Sequence, residues 1–175
     1  MKKKIAFVHN AMWEMYNFRG ELLQELKAKG YEITVICPPD EKNAHYFTDL
    51  GIKLLTVPMS RKGTNIKEDL QLVKNLFKVY KKEKFDLVFH YTIKPNIYGT
   101  LAAKLAGIKS IAITTGLGYV FLHNNITSLI AKFMYKFSLA FANEVWFLND
   151  DDMNIFLDKD LITERQAFKL PSEGI

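Results

Sequence analysis

One cysteine, Cys37, stands in the 175-residue sequence, which excludes an intrachain disulfide framework and a cysteine-rich metal site and implies a reducing cytoplasm. Long hydrophobic runs are missing too. The longest, residues 126–141, is broken by Lys132 and Lys136 and is shorter than the roughly 20 residues that span a bilayer. After Lys2, Lys3 and Lys4 only a handful of mainly apolar residues precede His9 and Asn10, too few for a signal-peptide core. Internal repeats, low-complexity tracts and an internal Pro/Gly/Ser-rich linker are absent. Residues 171–175, Pro-Ser-Glu-Gly-Ile, alone read like a connection leading elsewhere.

Several reaction classes lack their signatures. No glycine lies between His9 and Arg19, so the loop after the first strand has no dinucleotide fingerprint, whose glycines let the backbone approach a pyrophosphate. This argues against a nicotinamide or flavin enzyme. There is no nucleophile elbow with a Ser-His-Asp order and no His-Glu-x-x-His motif. The run Asp150, Asp151, Asp152 lacks calcium-loop spacing and reads as the start of a helix capped by Asn149 or Asp150, where acidic side chains meet the positive dipole end. Neither a metal nor a resident cofactor is expected.

What is present describes a globular domain with a substantial core: 49% of residues are hydrophobic and 25% are charged. Lysine and arginine exceed aspartate and glutamate by 24 − 19 = 5, a balance that favours anionic partners. Apolar runs at residues 4–8, 32–37, 53–57, 86–90, 110–114, 144–148 and 167–170 read as buried strands. Helical periodicity fills residues 18–29, 41–50, 65–83, 95–106, 126–143 and 150–157. Gly30, Gly51 and Gly107 follow helical segments where a left-handed cap is needed. Strands alternating with helices must run parallel with right-handed crossovers. The expected fold is an α/β, Rossmann-like, doubly wound parallel sheet of about seven strands with helices on both faces, its ligands beyond the carboxyl ends of the strands. Residues 1–170 form the domain, and 171–175 begin a linker.

Three loops at those ends carry candidate chemistry. The first mixes Trp13, Tyr16 and Phe18 with Asn17 and Arg19, suited to a sugar-like ligand bearing an anionic group. Its aromatics equally fit a staple between loop and helix. After the fourth strand, His90, Thr92, Lys94, Pro95 and Asn96 open a helix whose backbone donors can meet an anion. There Lys94 can pair with a phosphate, Asn96 can cap the helix or bond a hydroxyl, and His90 is either a satisfied strand-end histidine or a catalytic one. After the fifth strand, Thr115, Gly116, Leu117 and Gly118 allow close backbone approach to a ligand. The helix at 126–141 carries Leu129, Ile130, Phe133, Met134 and Phe137 on one face. Burial of that face within the domain is the expectation, and contact with an anionic membrane surface is the alternative.

Taken in order, Tyr16-Asn17-Phe18-Arg19, Lys94-Pro95-Asn96-Ile97-Tyr98-Gly99, the stretch from Leu101 to Ile108, Thr115-Gly116-Leu117-Gly118 and Phe147-Leu148-Asn149 make the chain resemble the N-terminal domain of family 4, GT-B fold glycosyltransferases. The bacterial members that build capsular polysaccharide, lipopolysaccharide O-antigen or lipid-linked oligosaccharide are most similar. The resemblance covers essentially the whole chain. It implies a retaining transferase whose N-terminal half binds the acceptor, a lipid-diphosphate-linked sugar at the inner face of the cytoplasmic membrane, with no nucleic-acid partner. A C-terminal domain, not in this chain, binds the nucleotide-sugar donor, a UDP-sugar, and the isolated half is inactive alone. Acceptor-side contacts then fall on Tyr16, Asn17, Arg19, Thr92, Lys94, Asn96, Thr115, Gly116, Leu117 and Gly118, and His90 and Thr115 are the candidates for catalysis. Where several family members place a histidine at the end of the fifth strand, this sequence has Thr114-Thr115-Gly116, so that role does not carry over. A nucleotide-sugar 2-epimerase of the same architecture and a non-catalytic α/β binding module remain the alternatives.

Overall fold

Runs of β-branched and aromatic residues short enough to cross one sheet become seven strands among the described residues, which in this computed structural model are 2–61, 65–116 and 126–171. They are β1 (Lys4–Val8), β2 (Glu32–Cys37), β3 (Lys53–Thr56), β4 (Leu87–Tyr91), β5 (Lys109–Thr114), β6 (Glu144–Phe147) and β7 (Ala167–Lys169). Every pairing is parallel and the order is β3-β2-β1-β4-β5-β6-β7. The helices are α1 (Met12–Ala28), α2 (His45–Asp49), α3 (Ile66–Glu83), α4 (Thr100–Ala106), preceded by a π-helical turn at Pro95–Gly99, α5 (Ile126–Leu139) and α6 (Asp150–Asp158). The fold class read from the sequence is borne out.

Successive side chains on a strand point to opposite faces, and β1 shows how each face is filled. Ile5 and Phe7 join Met12, Met15 and Leu23 of α1 and Phe47 of α2. Ala6 and Val8 join Leu72, Leu76 and Tyr80 of α3 and Ala102 and Ala103 of α4. Farther along, Ala112, Val145 and Phe147 pack under Tyr135 and Leu139 of α5 and Phe156 of α6. Each large side chain so buried contributes about 1.5–3 kcal/mol of transfer free energy. Between α4 and β5, Gly107 takes φ +74°, a left-handed cap that a side chain would strain. Asn149 caps α6, its Oδ1 accepting from the Asp152 N–H at 2.8 Å.

β1 is flanked by β2 on one side and β4 on the other. The chain leaves these two central strands for opposite faces of the sheet, and the loops beyond Val8 and Tyr91 diverge into the crevice where such sheets bind ligands.

Three expectations need correction. Helix α1 begins at Met12, six residues before the expected start, because Met12, Met15, Arg19 and Leu23 recur at helical spacing on a buried face; Tyr16 and Asn17 are therefore helix residues. β4 extends one residue farther, through Tyr91, whose buried ring joins the α1 layer. The apolar face of α5 is not buried. Its inward stripe is Ser128, Tyr135, Ser138 and Leu139, and Leu129, Ile130, Phe133 and Phe137 are 51–69% exposed. Two serines on the inward stripe let the helix lie close to the π-helical turn and the sheet, which leaves the phenylalanines outside. No described helix is long and apolar enough to cross a membrane.

Candidate functional site

At the end of β1 the chain turns sharply into α1, and His9 organises the turn. Its backbone N–H donates to the Ile36 carbonyl at 3.1 Å, and its Nδ1 accepts from the Ala11 N–H at 2.9 Å. An accepting Nδ1 carries no proton, so in the neutral ring the proton sits on Nε2, 3.8 Å from the Glu14 carboxylate. Burial, helped by Arg19 and Arg61 nearby, lowers the His9 pKa to about 4. Glu14 also pairs with Arg61, tying α1 to the segment after β3.

Arg19 is buried, with its Nη1 donating to the Phe18 carbonyl at 2.9 Å. Its guanidinium carbon lies 5.0 Å from the centre of the Tyr91 ring, a cation–π contact that joins α1 to the end of β4. Tyr16 stacks on Tyr46 of α2 at 4.1 Å, and Asn17 is exposed. The four-residue segment thus splits. Arg19 lies buried against Tyr91, Tyr16 closes the α1–α2 contact, and Trp13 and Phe18 form an exposed edge-to-face pair 6.4 Å apart.

Beyond β4 the backbone passes through Thr92 with φ +69°, unusual for a β-branched residue. Lys94, only 8% exposed, points its ammonium at the Asp69 Oδ1 and the Ser60 Oγ, each at 2.7 Å. The Tyr98 hydroxyl donates to the other Asp69 oxygen at 2.8 Å. This closed network joins the β3–α3 connection, α3 and the π-helical turn, and Lys94 reaches a groove of about 500 Å³ bordered by Met59, Lys67 and Asn75 only as part of it. The Asn96 amide donates to the Ile113 carbonyl at 3.0 Å, bridging the turn to β5 instead of capping a helix.

His90 is fully enclosed. Its Nε2 lies 2.9 Å from the Tyr80 hydroxyl and its Nδ1 3.4 Å from Thr100 Oγ1, and burial lowers its pKa to about 3. A Cβ on Gly99 would come within 2.5 Å of this ring, so glycine is required there for packing. Of the loop after β5, Thr115 and Gly116 are exposed, with Gly116 at φ +131°; Leu117 and Gly118 lie outside the described residues.

Sequence reasoning passed over His9, Glu14, Arg61 and Asp69. Asp69 left a trace, since it sits in phase with the buried stripe Leu72, Leu76 and Tyr80 of α3, where a charge needs a partner. The pairs Glu14–Arg61 and Lys94–Asp69 join positions far apart in sequence and leave none.

The fold agrees with comparisons to known proteins. Residues 4–149 match the profile of the family described as Glycosyl transferase 4-like. The chain is 31% identical over 180 residues to N,N'-diacetylbacillosaminyl-diphospho-undecaprenol alpha-1,3-N-acetylgalactosaminyltransferase of Campylobacter jejuni, covering 98% of this chain and 46% of that protein. It is 24% identical over 146 residues to UDP-Gal:alpha-D-GlcNAc-diphosphoundecaprenol alpha-1,3-galactosyltransferase of Escherichia coli, covering 83% and 37%. The chain therefore spans less than half the length of these relatives. Among solved structures, a UDP-N-acetylglucosamine 2-epimerase superposes with TM-score 0.72 at 18% identity over 97% of this chain and 48% of its own. A glycosyltransferase from Rickettsia africae does so with TM-score 0.67 at 19% identity over 96% and 42%. At such identities the two structures establish the shared fold, which in both occupies about half of a longer chain, while the matched profile and the 31% identity establish descent: this chain belongs to the glycosyl transferase 4-like family.

Proposed function

We propose that this chain is the acceptor-binding half of a retaining, nucleotide-sugar-dependent glycosyltransferase that elongates a lipid-diphosphate-linked sugar in bacterial surface polysaccharide or oligosaccharide synthesis. The observation that carries this reading is the 31% identity, over 98% of the chain, to a transferase named for a diphospho-undecaprenol acceptor. The other relative is named for the same kind of acceptor and for a UDP-sugar. In the reaction an acceptor hydroxyl forms a bond to the anomeric carbon of the donor, the bond from that carbon to the nucleotide diphosphate breaks, and the hydroxyl proton leaves with the nucleotide or to solvent. A second domain of the same polypeptide holds the donor, and the crevice between the β1 and β4 loops presents the acceptor.

Within that reading Arg19 is the cation assigned to the acceptor diphosphate, because a guanidinium matches paired phosphate oxygens and this one lies beside Tyr91 at the end of β4. Thr92, Thr115 and the Gly116 backbone border the same edge of the sheet. Lys94 serves indirectly, by fixing Ser60 and Asp69. The exposed apolar face of α5, with Lys136 among its phenylalanines, rests on the anionic inner face of the cytoplasmic membrane and brings the lipid acceptor within reach.

The test uses the whole polypeptide that contains this chain. Arg19→Ala is expected to abolish transfer from a UDP-sugar to an undecaprenyl-diphosphate-linked N-acetylhexosamine, and unchanged transfer removes Arg19 from its role. The structural likeness to a 2-epimerase supports a second reading, favoured if the nucleotide-sugar is converted when no acceptor is supplied.

A further inference from the structure

A second groove, of about 520 Å³, opens at the carboxyl ends of β1 and β2 and is bordered by Asn10, Trp13, Glu14, Asp40, Asn43 and Arg61. Its volume suits one or two sugar rings. Trp13 is 50% exposed and braced edge-on by Phe18, so it offers a flat apolar surface at little entropic cost. Asp40 is held in place by the Asn43 side-chain amide at 2.7 Å. Glu14 is fixed from two sides, by Arg61 and by the His9 ring.

The charges decide what fits. Among the side chains that border the groove, two carboxylates stand with one guanidinium in a chain whose net charge is +5. Those side chains hold no excess of positive charge for a diphosphate and suit a neutral pyranose: its hydroxyls donate to carboxylate oxygens that retain free lone pairs, and its C–H face covers the indole. We propose that this groove is a subsite for a neutral N-acetylhexosamine or similar pyranosyl unit, with Trp13 as the platform and Glu14 and Asp40 as the hydroxyl acceptors. The assignment deepens the transferase reading, in which this unit is the sugar of the acceptor.

The decisive experiment is a titration of the 15N-labelled chain with methyl N-acetyl-α-D-glucosaminide and, separately, with inorganic pyrophosphate. The two tryptophan indole N–H signals are assigned through Trp13→Phe. The sugar is expected to move the Trp13 signal and not that of Trp146, and pyrophosphate is expected to leave the Trp13 signal in place. Trp13→Ala and Glu14→Gln should each weaken the sugar by about tenfold or more, read from the backbone amides of Asn10 and Asn43. Because Trp13 is exposed, its replacement should leave the unfolding transition unchanged. A Trp13 signal that answers to pyrophosphate and not to sugar, or a sugar affinity indifferent to Trp13→Ala, overturns the subsite. The transferase reading fails separately. If the whole polypeptide transfers sugar and Trp13→Ala leaves the acceptor KM unchanged, the subsite is wrong and the reading stands; if the wild type transfers nothing from any donor, the reading is wrong and the titration still judges the groove.

Discussion

Replacing Lys94 with alanine separates two roles that activity alone confuses. As a phosphate ligand in an open crevice, Lys94 would contribute little to folding. In this structure its ammonium and the Asp69 carboxylate are both more than nine-tenths buried and lie 2.7 Å apart. Removing one member of such a pair leaves a buried charge uncompensated and costs about 3–5 kcal/mol. The Tyr98 hydroxyl still donates to Asp69, which favours the lower end. For a chain of this size each kcal/mol lowers Tm by roughly 2–4 °C, so a drop of about 10 °C is expected. Urea unfolding at neutral pH, with m unchanged, measures the loss directly. The double variant Lys94→Met, Asp69→Leu removes both charges and should recover most of the stability, since an apolar pair of similar volume often replaces a buried ion pair without loss. A loss below about 1 kcal/mol for Lys94→Ala, the value of a surface salt bridge, refutes the buried-tie argument. If the double variant folds and still transfers sugar, Lys94 makes no contact with the diphosphate.

Acid should destabilise the chain through its buried histidines. His9 and His90 titrate near 4 and 3 when folded and near 6.5 when unfolded, so the unfolded chain binds more protons below about pH 6.5. Stability is full above that value and falls as pH drops towards 4 and 3, each ring contributing up to about 1.4 kcal/mol per pH unit. His9→Gln should reduce that slope by about one proton in pH-dependent urea unfolding, and an unaltered slope counts against the assignment. Gly99→Ala drives a methyl into the His90 ring and should cost about 1–3 kcal/mol; combining it with His90→Ala should cost clearly less than the sum, and strict additivity contradicts the contact. Phe133→Ser with Phe137→Ser should weaken cosedimentation with vesicles containing phosphatidylglycerol by roughly two orders of magnitude, taking about 1.5 kcal/mol per half-exposed ring, whereas undiminished binding assigns the α5 face to another purpose.

The fold was legible because its determinants are local. Strands covered on both faces read as unbroken apolar runs, as Ile33, Val35, Ile36 and Cys37 do in β2, and glycine caps such as Gly107 mark where helices hand over to strands. Where an expectation slipped, a tertiary contact had overridden local pattern. The α1 start was read too late because residues 9–17 mix polar and aromatic side chains without a capping side chain. The turn is instead secured by the His9 imidazole accepting from the Ala11 N–H, a bond that no helix-start rule anticipates. The outward phenylalanines of α5 defeated the expectation of burial for a related reason. Hydrophobicity marks a face as apolar, but the serines at 128 and 138 decide which side approaches the protein, and that depends on close fit against the π-helical turn and the sheet.

The site was only partly legible, and the reason is electrostatic. Charges that perform chemistry look, in sequence, like charges that solvate a surface; what distinguishes them is burial and partner, both set by strands distant in the chain. Asp69 and Lys94 are 25 positions apart and Glu14 and Arg61 are 47 apart; Glu14 ties α1 to Arg61, and Lys94 ties the chain after β4 both to Asp69 of α3 and to Ser60. The segment around Ser60 separates the two grooves, with Met59 bordering both. It is held from one side by Lys94 and from the other by Glu14. Loosening either tie should therefore disturb both grooves at once. Lys94→Met, Asp69→Leu lies outside the Trp13 groove, but by releasing Ser60 it is expected to weaken the N-acetylglucosaminide there by several fold while leaving the Trp13 indole signal of the free chain nearly unmoved. An unchanged affinity would show that the segment is positioned by Arg61 and Glu14 alone.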